Sequence, residues 1–105
     1  MIDWTARTMT QASLLATVEL ARIQLGTDFR AELSRIAKPV LVIHGDADAS
    51  APIELTGRPT AAAIPGARLV VYEGAPHGLY FTHRKRLVED IAAFVRGAGV
   101  ELCAA

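Results

Sequence analysis

From Thr5 to Leu25 the apolar residues Met9, Leu15, Val18, Leu20, Ile23 and Leu25 recur among alanines, with no proline or glycine before Gly26. The pattern predicts a helix of about five turns. Its apolar positions spread round much of the cylinder, as in a helix covered on more than one side, and this chain offers little to cover it. Gly26 ends the pattern. Thr27 or Asp28 is placed to cap a second, short helix, where Phe29, Leu33 and Ile36 of FRAELSRI share one face. Lys38-Pro39 then breaks helical geometry.

The apolar pattern next becomes continuous. Val40 to Ile43 (VLVI) and Arg68 to Tyr72 (RLVVY) are β-branched runs bounded by proline or glycine signals. They are expected to be strands buried on both faces, as in a parallel sheet. Between them Ile53 to Ile64 has room for a crossover helix closed by Pro65-Gly66, and Pro59 is expected to kink or delay it. After EGAPHGLYF, Thr82 is a candidate N-cap for HRKRLVEDIAAFVRG, in which Leu87, Ile91, Phe94 and Val95 are at helical spacing and Gly97 stands at the end. The predicted order is α, α, β, α, β, α, an α/β arrangement with two parallel strands. No internal repeat interrupts it.

Composition narrows the partners. A chain of 105 residues is one small domain at most. Its net charge is zero, so no general attraction to nucleic acid or anionic membrane is expected, and a small molecule or a protein is the favoured partner. No apolar run approaches the ~20 residues that span a bilayer. The N-terminus MIDWTARTMTQ lacks the basic start and apolar core of a secretion signal, so a cytoplasmic location is the expectation. The single cysteine, Cys103 in the tail ELCAA, has no internal disulfide partner and is read as an idle thiol.

The candidate chemistry lies beyond the strands. Parallel strands joined by a crossover end on the same side, and ligands in open α/β sheets bind beyond those carboxyl ends. In VLVIHGDADASAP, Asp46 and Asp48 lie just past the first strand, and His77 lies five residues past the second. Strands about 5 Å apart would let loops of this length set a carboxylate against the imidazole. Such a carboxylate accepts the Nδ1 proton and leaves Nε2 free to take a proton from a nucleophile.

From Thr27 to about Gly97 the chain resembles the C-terminal portion of an α/β-hydrolase, closest to the cofactor-free bacterial non-heme chloroperoxidases, perhydrolases and arylesterases. The resemblance rests on Gly45-x-x-Asp48 with Pro52, on Pro76-His77-Gly78, and on the closing RLVEDIAAFV, in that order. It implies a partial α/β-hydrolase fold, with residues 27–105 as its C-terminal β-α-β-α part and residues 1–26 as the end of a cap region. It also implies that Asp48 is the triad acid and His77 the general base, with Asp46 outside the triad and no cofactor needed. The sequence holds no Gly-x-Ser-x-Gly nucleophile elbow and no oxyanion loop. None of the three serines replaces it: Ser13 falls inside a helix pattern, Ser34 on an exposed helix side, and Ser50 two residues past Asp48.

Plainer roles compete at each position. Gly-Asp-x-Asp is also a common turn with side chain to backbone bonds, and His77 could be a solvated loop residue. His44 is expected to be a satisfied structural histidine and His83 a first-turn helix residue. A calcium loop at Asp46-x-Asp48-x-Ser50 is disfavoured, because Ala51-Pro52 stands where that loop turns on glycine. The spacing of His44, Asp48 and His77 carries no zinc signature, so no metal is assigned. Two functions remain. One is the acid-histidine part of a serine hydrolase for small esters or perhydrolysis, nearly or wholly inactive alone, with a nucleophile supplied in trans or lost by truncation. The other is a non-catalytic remnant whose sheet edge and long helix serve self-association or a sheet-completing partner.

Overall fold

The computed structural model of the chain describes residues 2–98; Cys103 lies outside them. The N-terminal apolar stretch forms two helices, α1 (Ile2–Thr10) and α2 (Leu14–Gly26), where the sequence pattern predicts one. Thr10 Oγ1 turns back to the Arg7 carbonyl, and the Ser13 hydroxyl accepts the Ala16 N–H at 3.0 Å. A serine that competes locally for the backbone thus starts a new helix without glycine or proline. Ser13 is a cap, not an interior residue. No residue of α2 is buried, and neither α1 nor α2 packs substantially on another described element. The Cα radius of gyration, 16.4 Å, exceeds the ~13 Å expected for a compact chain of this length.

The short α3 (Arg30–Leu33) follows, with Asp28 Oδ1 accepting the Arg30 N–H at 3.0 Å. Strand β1 (Leu41–Gly45) then pairs in parallel with β2 (Arg68–Tyr72), in the register Leu41 to Arg68 through Gly45 to Tyr72. The crossover helix α4 (Gly57–Ala63) packs on both strands. Pro59 lies in its first turn, where the missing N–H has no intrahelical acceptor to lose, so it delays the helix rather than kinking it. Only Gly45 and Tyr72 are buried within the strands; the other strand residues are half-buried, apart from exposed Arg68. The expected burial on both faces is not reached, because a two-stranded sheet with these few helices cannot cover its own faces.

The apolar core among the described residues is Ile53, Ile64, Tyr72 and Ala75, which flank α4 and close the strand ends. Beyond β2, the short helix α5 (Leu79–Thr82) precedes α6 (Arg84–Gly97). Thr82 ends α5, and His83 takes the N-cap place of α6 that Thr82 was expected to fill. Its Oγ1 meets His83 Nδ1 at 2.8 Å instead of capping an amide. Tyr72, fully buried, fastens α6 to the sheet: its hydroxyl donates to Asp90 Oδ2 at 2.6 Å, and the Arg86 guanidinium sits 3.9 Å above its ring. Burial and the Asp90 carboxylate push the Tyr72 phenol up to about 12.

Candidate active site

The site begins where β1 runs out. A Cβ at Gly45 would lie 2.1 Å from the Ala75 carbonyl oxygen, so only glycine lets the two loops approach this closely. Beyond Gly45 the chain folds back on a side chain. Asp48 Oδ1 accepts the N–H groups of Ser50 and Ala51, both at 2.9 Å, which makes the turn and the aspartate one unit. Its second oxygen, Oδ2, meets His77 Nδ1 at 2.8 Å.

His77 arrives from the loop after β2. Gly74 supplies a left-handed φ of +67°, and the Ala75 N–H returns to the Tyr72 carbonyl at 3.2 Å. Ala75 is buried, and its carbonyl accepts the Ala47 N–H at 3.1 Å, so the two loops are stitched together. The pair is asymmetric: the Asp48 side chain is 5% exposed and that of His77 is 65% exposed.

Electrostatics fix the protons. Burial pushes the Asp48 carboxyl up, but the Ala51 N–H, the His77 ring and the Ser50 N–H together hold it below the usual carboxylate value. An ionised carboxylate only accepts, so Nδ1 of His77 carries the shared proton and Nε2 of its neutral form is left as a base. Beneath the pair, His44 Nε2 donates to the Ala51 carbonyl at 2.9 Å and lies 3.4 Å from Asp48 Oδ2. His44 is satisfied by the backbone, as expected, and also supports the turn that holds the acid.

The two expected site residues are therefore in direct contact. Asp46 is more than a turn residue, since its Oδ1 accepts the Gly74 N–H across the loops at 2.6 Å. No spacing rule signals that bond, because Gly74 gives no sign of its partner. Ser13, Ser34 and Ser50 are exposed, and Ser50 faces the acid only through its backbone. Among the described residues no group of three or more His, Cys, Asp or Glu side chains could hold a metal ion. Likewise, no described helix is long and apolar enough to cross a membrane.

A parallel β-α-β unit with acid and histidine at its carboxyl edge has counterparts. The model of the Abhydrolase_4 family, described as TAP-like protein, matches residues 21–101. The chain belongs to the α/β-hydrolases. It is 37% identical over 70 residues to a bifunctional esterase/perhydrolase of Acinetobacter calcoaceticus, covering 67% of this chain and 25% of that protein. To the non-heme chloroperoxidase CPO-A1 of Kitasatospora aureofaciens it is 51% identical over 53 residues, 50% of this chain and 19% of that one. An esterase structure from Exiguobacterium antarcticum superposes with a TM-score of 0.81 at 28% identity, over 90% of this chain and 35% of that one. The chain thus corresponds to the C-terminal portion of the α/β-hydrolase fold, and it spans about a fifth to a third of the length of these relatives.

Proposed function

We propose that this chain supplies the acid and the general base, Asp48 and His77, of a serine-type carboxylester hydrolase or cofactor-free perhydrolase acting on small esters. The observation that carries the reading is the 2.8 Å contact between His77 Nδ1 and a buried, backbone-anchored Asp48, with the rest of the imidazole open to an incoming group. In that role Asp48 holds the tautomer and stabilises the imidazolium. His77 Nε2 takes the proton of a serine hydroxyl as it attacks the ester carbonyl, then returns it to the departing alkoxide. Water, or peroxide in a perhydrolase, repeats the cycle on the acyl-enzyme. None of the chain's three serines lies on a strand-to-helix elbow. The nucleophile comes from a Gly-x-Ser-x-Gly-bearing portion of a hydrolase that pairs with this one, and residues 1–26 act as the end of the cap over the pocket.

Mixing the chain with a separately produced, nucleophile-bearing N-terminal portion of the Acinetobacter esterase/perhydrolase tests this. Hydrolysis of a chromogenic short-chain ester, shown by neither part alone and abolished by His77→Ala, is the expected result. A stable complex without activity sinks the proposal. A second reading, a non-catalytic self-association or interaction module, draws on the exposed apolar side chains of α2, from Val18 at 53% to Leu25 at 89%. Light scattering behind size exclusion decides that one, since a well-folded monomer removes its motive.

A further inference from the structure

The acid and histidine loops are joined at two levels, and only one of them is the pair itself. We infer that Asp46 is a positioning residue for His77: its carboxylate, by holding the Gly74 N–H, fixes the distance and angle at which the histidine loop presents its ring to Asp48. This deepens the proposed hydrolase role of the pair and rests on that reading. Four observations converge. Asp46 Oδ1 accepts the Gly74 N–H at 2.6 Å, a charge-assisted bond between residues 28 apart in sequence. Gly74 has φ of +67°, so its amide direction is set by a conformation that other residues rarely adopt. The Asp46 backbone N–H bonds the Tyr72 carbonyl at 3.2 Å, which anchors the carboxylate's own stem to the end of β2. Finally, only Ala75 and Pro76 separate Gly74 from His77, and Pro76 has a fixed φ, so few backbone rotations separate the Gly74 peptide from the His77 backbone.

The Asp46 bond is exposed to water, and a bond in that setting serves alignment more than stability. His77, itself 65% exposed, has little packing to hold its ring otherwise. Without Asp46 the Ala75 bonds to Tyr72 and Ala47 and the Leu79 N–H bond to the Pro76 carbonyl remain, and what is lost is the hold on the Gly74 peptide that leads into them. The consequence falls on the tautomer, because Nδ1 carries the proton preferentially only while Asp48 is in place to accept it.

Imidazole 1H–15N spectra of the full chain read this without any activity assay. In the wild-type chain His77 is expected as the Nδ1–H tautomer. Asp46→Ala is expected to lower that fraction to roughly half or less, and Asp46→Asn, which keeps an oxygen acceptor for Gly74, to restore most of it. In the reconstituted hydrolase Asp46→Ala is expected to lower kcat on the order of tenfold at unchanged KM. An Nδ1–H fraction untouched by Asp46→Ala overturns the inference and leaves the acid-base pair standing. A fall that Asp46→Asn fails to restore also overturns it, since a loop that merely loosens would behave so. Absence of the Nδ1–H tautomer in the wild-type chain overturns both the inference and the pair.

Discussion

Helix α2 and the β-α-β unit are both rich in aliphatic side chains, yet they use them in opposite ways. In α2, Leu14, Leu15, Val18, Leu20, Ile23 and Leu25 are each more than half exposed, whereas Ile53, Ile64 and Tyr72 around α4 and β2 are each at 6% or below. A helix satisfies its own backbone hydrogen bonds, so α2 closes its ladder from the Ser13 cap onward without a partner strand, and at this length its stability rests on whatever covers its apolar side chains. A strand cannot do so: β1 exists only by pairing with β2, and the pair forms where α4 and the loops exclude water. Apolar content in a helix therefore reports a surface awaiting cover, and apolar content in these strands reports a core already begun.

The two regions should respond very differently to substitution. The largest effect is expected at the pair: Asp48→Asn in the reconstituted hydrolase lowers kcat by about 10⁴, with binding of the two portions retained. Retained activity would mean that the β-α-β edge carries no chemistry. Next comes Gly45→Ala, whose Cβ would overlap the Ala75 carbonyl. Denaturant unfolding is expected to show a loss of about 3 kcal/mol, at the upper end for overpacking because the clash is with backbone. A milder result would show that the loops are looser than they look. Tyr72→Phe removes the hydroxyl that reaches Asp90 and is expected to cost about 1 kcal/mol, with α6 protection from hydrogen exchange reduced most. The smallest effect is at α2: Leu20→Glu should change stability by less than about 0.5 kcal/mol. A larger loss there would erase the contrast between the regions and show that α2 has a packing partner in solution.

Acid titration sharpens the same contrast. Asp48 is held below the usual value of 3.8 by the Ala51 and Ser50 N–H groups of its own turn and by His77, and the His77 contact exists only when two loops meet. A lowered folded value stabilises the fold above the unfolded pKa, and that stabilisation is lost as pH falls through the lowered value. Asp28 is brought down to about 2, but by Arg30, its neighbour two residues on. That pair is exposed and local, so it contributes little to folding. Unfolding of the wild type below pH 3.8 should therefore be blunted by Asp48→Asn and unaffected by Asp28→Asn.

Much of the site was legible in the sequence, for a physical reason. Strand runs such as RLVVY, Gly45 at the end of β1 and the turn glycine Gly66 report backbone needs directly, and Asp48 and His77 each follow a strand whose end is marked. The break at Ser13 was hidden because serine is also tolerated inside helices, and only the hydroxyl's bond to the Ala16 amide tells the two apart. Thr82 misled for a related reason, since its hydroxyl had a nearer partner in His83. The Asp46 to Gly74 and Tyr72 to Asp90 bonds join residues 28 and 18 apart, and no local pattern encodes such meetings.

Asp48 and His77 stand 29 residues apart, with a single crossover between them. Closing a loop of that size carries a length-dependent entropy of about 3 kcal/mol, and doubling the loop would add only about 0.6. The pair is therefore assembled by one β-α-β closure, in which α4 carries the chain from β1 to the parallel β2. A carboxylate and an imidazole joined by that single closure form one contiguous unit of the chain, running from β1 to the loop beyond β2.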